Sequence, residues 1–321
     1  MSDVDDPAPA SVRRLVSAVL GTTVRTWRRP TAGSVAETYL LELDDDPGRA
    51  VCKLAGASVW TGEVVEPAVR RLVADRTALP VPEVLASGRF VTRPTGELQD
   101  FDETDAPRSR WALYEFADGE PPSVCREGAC DLAARRRLVA DAGSILGRLH
   151  AWSAAELDFD RTGGLGRAPE QSTRLRVCDP TPPSVVDALS SAVRTPSDCS
   201  SAPRPVLCHG DFQPDNVLVE ADGSITALLD WGNAHVGPAE YAVARAEVRF
   251  VDSARSIPSD ERSRLRETFR SSYRDHAPLE SGYENRAPLY KGTWVAQSIL
   301  NLATVARTAR GRTQLRRQLS K

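Results

Sequence analysis

The sequence predicts an α+β protein of two lobes: a small antiparallel sheet with one inserted helix, then a larger, mostly helical lobe. Three observations lead there. As far as residue 116, short apolar runs alternate with Pro, Gly and Asp turn signals, and only one longer stretch has helical spacing. Beyond Gly119-Glu120-Pro121-Pro122 the apolar residues recur every three or four positions instead. A chain of 321 residues is also long enough to bury a core in each of two lobes.

Residues 1–10 are polar and rich in Pro and Ala, and read as a loose tail. The first lobe spans 11–116. It opens with a short helix, Ser11 to Leu20, with Val12, Leu15, Val16 and Val19 on one side. Strands follow at Thr23–Trp27, Glu37–Leu43 and Ala50–Leu54; Asp44-Asp45-Asp46-Pro47-Gly48 is a strong turn between the last two. A helix is expected over Glu63–Ala74, with Val65, Val69, Leu72 and Val73 as its apolar face. Pro80 and Pro82 then force extended backbone. Two more strands fall near Val84–Thr92 and Trp111–Phe116, and the acidic stretch Glu97 to Asp105 between them reads as a solvated hairpin tip.

The second lobe, 117–321, begins with the stripe Leu138, Ala142, Ile145, Leu146, Leu149 and Trp152. Residues 178–205 are rich in Pro and Ser and read as loop around a short helix. One β insert is expected over Val206 to Asp230, and helices over about 238–252, 260–275 and 288–309.

Composition narrows the class. The chain is 41% apolar and 26% charged, as a globular protein is, and its net charge of −3 points neither to nucleic acid nor to an anionic membrane. No apolar run reaches the roughly 18–20 residues of a membrane span. Met1-Ser2-Asp3-Val4-Asp5-Asp6 is acidic and unlike a signal peptide, so a cytoplasmic location is expected. The six cysteines are scattered without a C-x-x-C pair and read as free thiols. Of 41 Lys plus Arg, only Lys53, Lys291 and Lys321 are lysines, so a retained lysine marks a place where a compact ammonium is needed. Lys53, on the apolar strand Val51-Cys52-Lys53-Leu54, is the one to watch; the competing view is an edge-strand lysine with its head in water.

The chemistry concentrates in Val206-Leu207-Cys208-His209-Gly210-Asp211-Phe212-Gln213-Pro214-Asp215-Asn216, followed by a hairpin that ends at Leu229-Asp230-Trp231. An apolar strand delivers a loop with Asp211, Asn216 comes five residues later, and the hairpin returns Asp230. Two carboxylates and an amide carbonyl so converged are hard oxygen ligands, as a magnesium–phosphate complex requires. Any one of them alone would pass for a turn residue.

The same spacing, Asp-x-x-x-x-Asn then a hairpin and a second Asp, is that of the protein-kinase catalytic centre. With His-Gly-Asp opening the loop, the chain resembles the aminoglycoside phosphotransferase and choline kinase family over about residues 20–310. The resemblance implies a protein-kinase-like two-lobe fold. It further implies transfer of the γ-phosphate of ATP or GTP to a hydroxyl of a small molecule, with Mg2+ as cofactor. By the same resemblance Asp211 is the base, and Asn216 and Asp230 hold the metal. Lys53 meets the α- and β-phosphates and pairs with Glu66, for which Glu63 is the competitor. Gly33 and Ser34 offer backbone N–H groups to phosphate, and Glu115 and Phe116 present a hinge to the base. His209 fits structural support of the catalytic loop better than a direct catalytic part.

One departure stands out. Where the family often shows Gly-Asp-Pro…Tyr-Asp-Leu-Ala, this chain has Gly237-Pro238-Ala239-Glu240-Tyr241-Ala242-Val243-Ala244. Both aspartates are missing, with Glu240 and His235 as possible substitute braces. That leaves room for an alternative: a catalytically weak nucleotide-binding regulator of the same fold. Residues 255–321 hold 14 Lys plus Arg against 6 Asp plus Glu. If that surface lines the acceptor pocket, an anionic or neutral acceptor is expected over a polycation.

Overall fold

A computed structural model of the chain describes residues 8–30, 37–54, 58, 63–89, 91–92, 98–99, 110–122, 131–168, 171–178, 205–253 and 257–305. In the first lobe, helix α1 (Ala10–Leu20) precedes strands β1 (Val24–Arg28), β2 (Glu37–Leu43) and β3 (Arg49–Leu54). Helix α2 (Glu66–Arg76), strand β4 (Val84–Arg89), a two-residue pairing of β5 (Val91–Thr92) with β6 (Leu98–Gln99), and β7 (Arg110–Glu115) follow. The main sheet is antiparallel in the order β1-β2-β3-β7-β4. In β2, Tyr39, Leu41 and Leu43 are buried, the period-2 pattern of a strand covered on one face. The cover is α1, whose Val12, Leu15 and Val16 pack with those residues and with Cys52, Trp111 and Leu113.

Helix α2 differs from its sequence-based outline. It starts at Glu66, not Glu63, because Pro67 occupies the first turn, where its missing N–H costs nothing. Its Val69 and Val73, with Val65 just ahead, join the core of the second lobe rather than that of the sheet. The helix is therefore a strut between lobes. Arg70, buried, stacks 3.9 Å above the Tyr114 ring of β7 and donates to the Pro82 carbonyl at 2.6 Å.

The second lobe is built on α3 (Leu132–Glu156), capped by Asp131, whose carboxylate accepts from the N–H groups of Ala133 and Ala134. Helix α3 packs closely on α5 (Ser259–Arg274). A Cβ added at Gly143 would lie 2.3 Å from the Phe269 carbonyl oxygen, and one at Gly147 2.6 Å from that of Tyr273. Helix α4 (Ala239–Glu247) runs into a wider π-helical turn, Val248–Asp252, and α6 is Tyr283–Val305. Glu247, fully buried, ties these helices together: it accepts from Arg270 at 2.6 Å, Lys291 at 2.9 Å and the Tyr283 hydroxyl at 3.1 Å. Lys291 thus has a structural partner. Among the described residues no helix is long and apolar enough to cross a membrane.

The second lobe holds more strand than expected. Besides the hairpin of β11 (Val217–Val219) and β12 (Ile225–Leu228), an antiparallel sheet runs β10-β13-β8-β9, from Pro205–Cys208, His235–Pro238, Gly163–Ala168 and Gln171–Cys178. Strand β8 is glycine-rich and β9 mostly polar with only a short alternation at Leu175 and Val177, so the signal is weak; β8 pairs with β13, and β9 with β8. Residues 179–204 and nearly all of the acidic stretch 97–105 lie outside the described residues.

Candidate active site

Strand β3 alternates, with Ala50 and Cys52 turned into the α1 core and Lys53 onto the opposite face. There the Lys53 ammonium donates to Glu66 Oε2 at 2.9 Å and Oε1 at 3.1 Å, and to Asp230 Oδ1 at 2.9 Å. Burial alone would lower the lysine pKa, but the two carboxylates reverse this and the net shift is upward. Likewise burial raises Asp230, and the Lys53 charge outweighs it, so its carboxyl titrates below the ordinary aspartate value. The three side chains form a Glu–Lys–Asp bridge between the lobes. Glu63 is not part of it; its carboxylate faces Arg176 at 3.9 Å.

Asp230 sits at φ 61°, the left-handed region, and among the described residues no other non-glycine has a positive φ. Such a conformation costs on the order of 1–3 kcal/mol and tends to persist where a site over-determines it. Half of its side chain stays open to solvent, leaving one carboxylate oxygen free of Lys53.

The loop after β10 is fixed by His209. Its Nε2–H donates to the Leu229 carbonyl at 3.0 Å, so its Nδ1 is free to accept from the Asp211 N–H at 3.2 Å. Burial pushes its pKa down to about 4, so the ring is neutral, and it lies 4.3 Å from the Trp231 ring. Gly210, at φ 84°, passes so near the neighbouring loop that an added Cβ would lie 1.7 Å from the Asn233 oxygen. Only glycine satisfies both conditions.

Asn216 closes the loop. Its amide Nδ2 donates to the Asp211 backbone oxygen at 2.8 Å and to Asp211 Oδ2 at 2.9 Å, which turns Oδ1 away from the aspartate. Its backbone carbonyl accepts from the Leu229 N–H at 2.9 Å, next to Asp230. The structure thus gathers Asp211, Asn216 and Asp230, with Lys53 and Glu66, in one place. Asn216 Oδ1 and the free Asp230 oxygen make a hard two-oxygen donor set. That suits a magnesium ion, which keeps most of its shell for phosphate and water.

The Asp211 carboxylate carries partners that the sequence had not pointed to. Gln213 Nε2 donates to Oδ2 at 2.9 Å, while Arg245 Nη2 meets Oδ1 at 2.8 Å and Arg249 stands 4.0 Å from the same oxygen. Of the proposed braces, His235 supports the loop from beside Gly210, and Glu240 is engaged elsewhere. Glu240 is bound to Arg286 of α6, and the His235 Nδ1–H donates to the Asn233 carbonyl beside Gly210. The contact to Asp211 is instead cationic, from a helix position one residue past Ala244.

At the expected hinge, the Glu115 N–H donates to the Glu83 carbonyl at 2.9 Å, so of the Glu115 backbone groups only the carbonyl is left to face a base. Phe116 lies under the Arg49 guanidinium, 4.3 Å from the ring centre, and Arg49 in turn pairs with Asp118. Gly33 and Ser34 lie outside the described residues.

The profile of the phosphotransferase enzyme family matches residues 26–289. The chain belongs to that family. A stretch of 176 residues is 28% identical to hygromycin-B 4-O-kinase of Escherichia coli, covering 52% of this chain and 47% of that protein. The match therefore spans about half the length of this relative. The family fold extends further. A macrolide 2'-phosphotransferase of Brachybacterium faecium superposes with a TM-score of 0.55 at 19% identity, over 95% of this chain and 96% of that one. A candidate aminoglycoside phosphotransferase of Ralstonia eutropha gives 0.57 at 14% identity, over 94% and 92%. Both share the kinase-like fold: an antiparallel sheet lobe beside a helical lobe.

Proposed function

We propose that this chain transfers the terminal phosphate of a nucleoside triphosphate, ATP or GTP, to a hydroxyl of a small molecule. The observation that carries this is the convergence of the Lys53–Glu66 pair of the first lobe on the Asp211–Asn216 loop and Asp230 of the second. Membership of a phosphotransferase family supports it.

Lys53 exchanges Asp230 for the α- and β-phosphate oxygens, while Glu66 keeps the ammonium aimed. Arg70, 3.6 Å from Glu66, keeps the glutamate in place. Magnesium, bound by Asn216 Oδ1 and the free oxygen of Asp230, would offset charge on the phosphate oxygens. Asp211 orients the acceptor hydroxyl in line with the terminal phosphorus. As the new O–P bond forms and the bond to the bridging oxygen breaks, the hydroxyl proton passes to the Asp211 carboxylate and the nucleoside diphosphate leaves. Neutral His209 takes no proton in this scheme; it sets the loop. Most of the acceleration is positioning and electrostatics.

A second possibility, a catalytically weak nucleotide-binding regulator, is favoured by one contact: Arg245 occupies Asp211 Oδ1. A coupled nucleotide-consumption assay across a library of hydroxyl acceptors separates the two. Acceptor-dependent consumption that disappears in Asp211→Ala supports the kinase. Nucleotide-induced thermal stabilisation with no transfer to any acceptor supports the regulator.

A further inference from the structure

Beside Asp211 lies positive charge that the phosphate-transfer machinery does not use. Arg245 and Arg249 are one helical turn apart, Arg245 near the end of α4 and Arg249 in the π-helical turn that follows. Two guanidiniums offer ten N–H donors. Among the described residues, the one acceptor atom within ion-pair range of either is Asp211 Oδ1. The Nε atoms of both are buried with no hydrogen-bond partner. With both Nε atoms buried, the donors left to meet a ligand are the terminal guanidinium N–H groups.

The geometry keeps this charge at the site rather than in solvent. The Arg245 side chain is 17% exposed. Arg249, at 36%, lies over the Trp294 ring of α6 with its guanidinium carbon 5.1 Å from the ring centre. Burial and the like charge of Arg245 pull Arg249 below the ordinary arginine value against the opposing pulls of Asp211 and Asp215. Both guanidiniums are thus held at the acceptor side of Asp211, with only Asp211 in ion-pair range among the described residues.

We propose that Arg245 and Arg249 bind an oxyanion of the acceptor, a carboxylate or phosphate placed close to the hydroxyl that is phosphorylated. This rests on the kinase function proposed above and adds the substrate class. An incoming anion engages the two guanidiniums and draws Arg245 from Asp211 Oδ1, freeing that oxygen for the hydroxyl. An acceptor lacking the anion leaves Arg245 on the base. A polycation meets the pair as like charge and is disfavoured.

The test has a binding arm and a turnover arm. In the first, the wild-type chain saturated with a non-hydrolysable nucleotide and Mg2+ is titrated with citrate and its thermal midpoint followed. Arg249→Gln and Arg249→Lys are treated alike, the lysine variant controlling for folding and charge. Citrate should raise the midpoint of the wild type and of Arg249→Lys, and raise that of Arg249→Gln little or not at all. In the second arm, matched acceptors with and without a carboxylate, such as a hydroxy acid and its amide, are compared by kcat/KM. The acid should be preferred at least ten-fold, and Arg249→Gln should raise its KM about ten-fold or more while leaving nucleotide affinity unchanged. No citrate shift in wild type, an equal shift in Arg249→Gln, or preference for the amide or a polycation would overturn the assignment. If no acceptor is phosphorylated but citrate still binds through Arg249, the kinase function fails while the anion site stands.

Discussion

Replacing Gly210 with alanine should damage the site far more than the loss of one hydrogen atom implies. Two separate costs add at this position. At φ 84° an L-residue is strained, by about 1 kcal/mol or somewhat more. The new Cβ would also start 1.7 Å from the Asn233 carbonyl oxygen, far inside ordinary van der Waals contact of about 3.4–4 Å. Both partners are backbone, so the clash cannot be relieved by a rotamer change; the loop must move by more than an ångström. Overpacking of that sort costs about 1–3 kcal/mol. The sum, about 2–4 kcal/mol, corresponds to a fall in Tm of roughly 4–12 °C for a chain of this size. Turnover should fall further, because Asp211 is the next residue and an ångström of misplacement can cost about 100-fold. Gly21 supplies the control: it has φ 70° at the end of α1 but nothing within 4 Å of its added Cβ, so Gly21→Ala carries only the strain. Differential scanning fluorimetry with a nucleotide-consumption assay reads both quantities. Equal effects of Gly210→Ala and Gly21→Ala on Tm, or wild-type turnover in Gly210→Ala, would refute the close approach of the two loops.

Lys53→Arg should abolish most activity although it conserves charge, since a guanidinium fork cannot fill the position of a compact ammonium between Glu66 and Asp230; a turnover loss under about three-fold would contradict the proposed bridge. Low pH should unfold the chain cooperatively through its buried histidines. Burial lowers His209 and His235 to about 4 and His150 to about 3, whereas the unfolded chain binds these protons near pH 6.5. Stability is therefore full above pH 6.5 and lost as pH falls toward 4, by up to about 1.4 kcal/mol per pH unit per histidine. A Tm that stays flat from pH 6.5 to 4.5 would contradict their burial as neutral rings.

Much of this was legible in the sequence wherever short-range pattern and tertiary role coincide. Strand β2 matched its outline because Tyr39, Leu41 and Leu43 alternate against α1. The Asp211–Asn216–Asp230 grouping was visible because one loop and one tight hairpin hold all three, so spacing fixes proximity. Lys53 stood out as a lysine in an arginine-rich chain. What stayed hidden depends on long-range contacts. Strand β8 has no alternation of its own and β9 only a short one; they form by pairing in turn with β13 and with each other. The binding of the Glu115 N–H by Glu83 follows from the end of β7, which sequence does not delimit. Arg245 and Arg249 had one available signal, a four-residue spacing on a helix whose other face is apolar. Their nearness to Asp211, 34 residues away in sequence for Arg245, follows only from how α4 packs beside β10.

The most direct single measurement is a comparison of Asp211→Asn with the wild type in nucleotide affinity and in single-turnover phosphate transfer to the preferred acceptor. Asparagine retains the shape of the side chain but cannot accept the hydroxyl proton. Transfer should fall by about 100- to 10,000-fold with nucleotide affinity nearly unchanged, the range a positioned base contributes. Transfer within a few-fold of wild type would contradict the role given to Asp211, and with it the proposed chemistry of the loop.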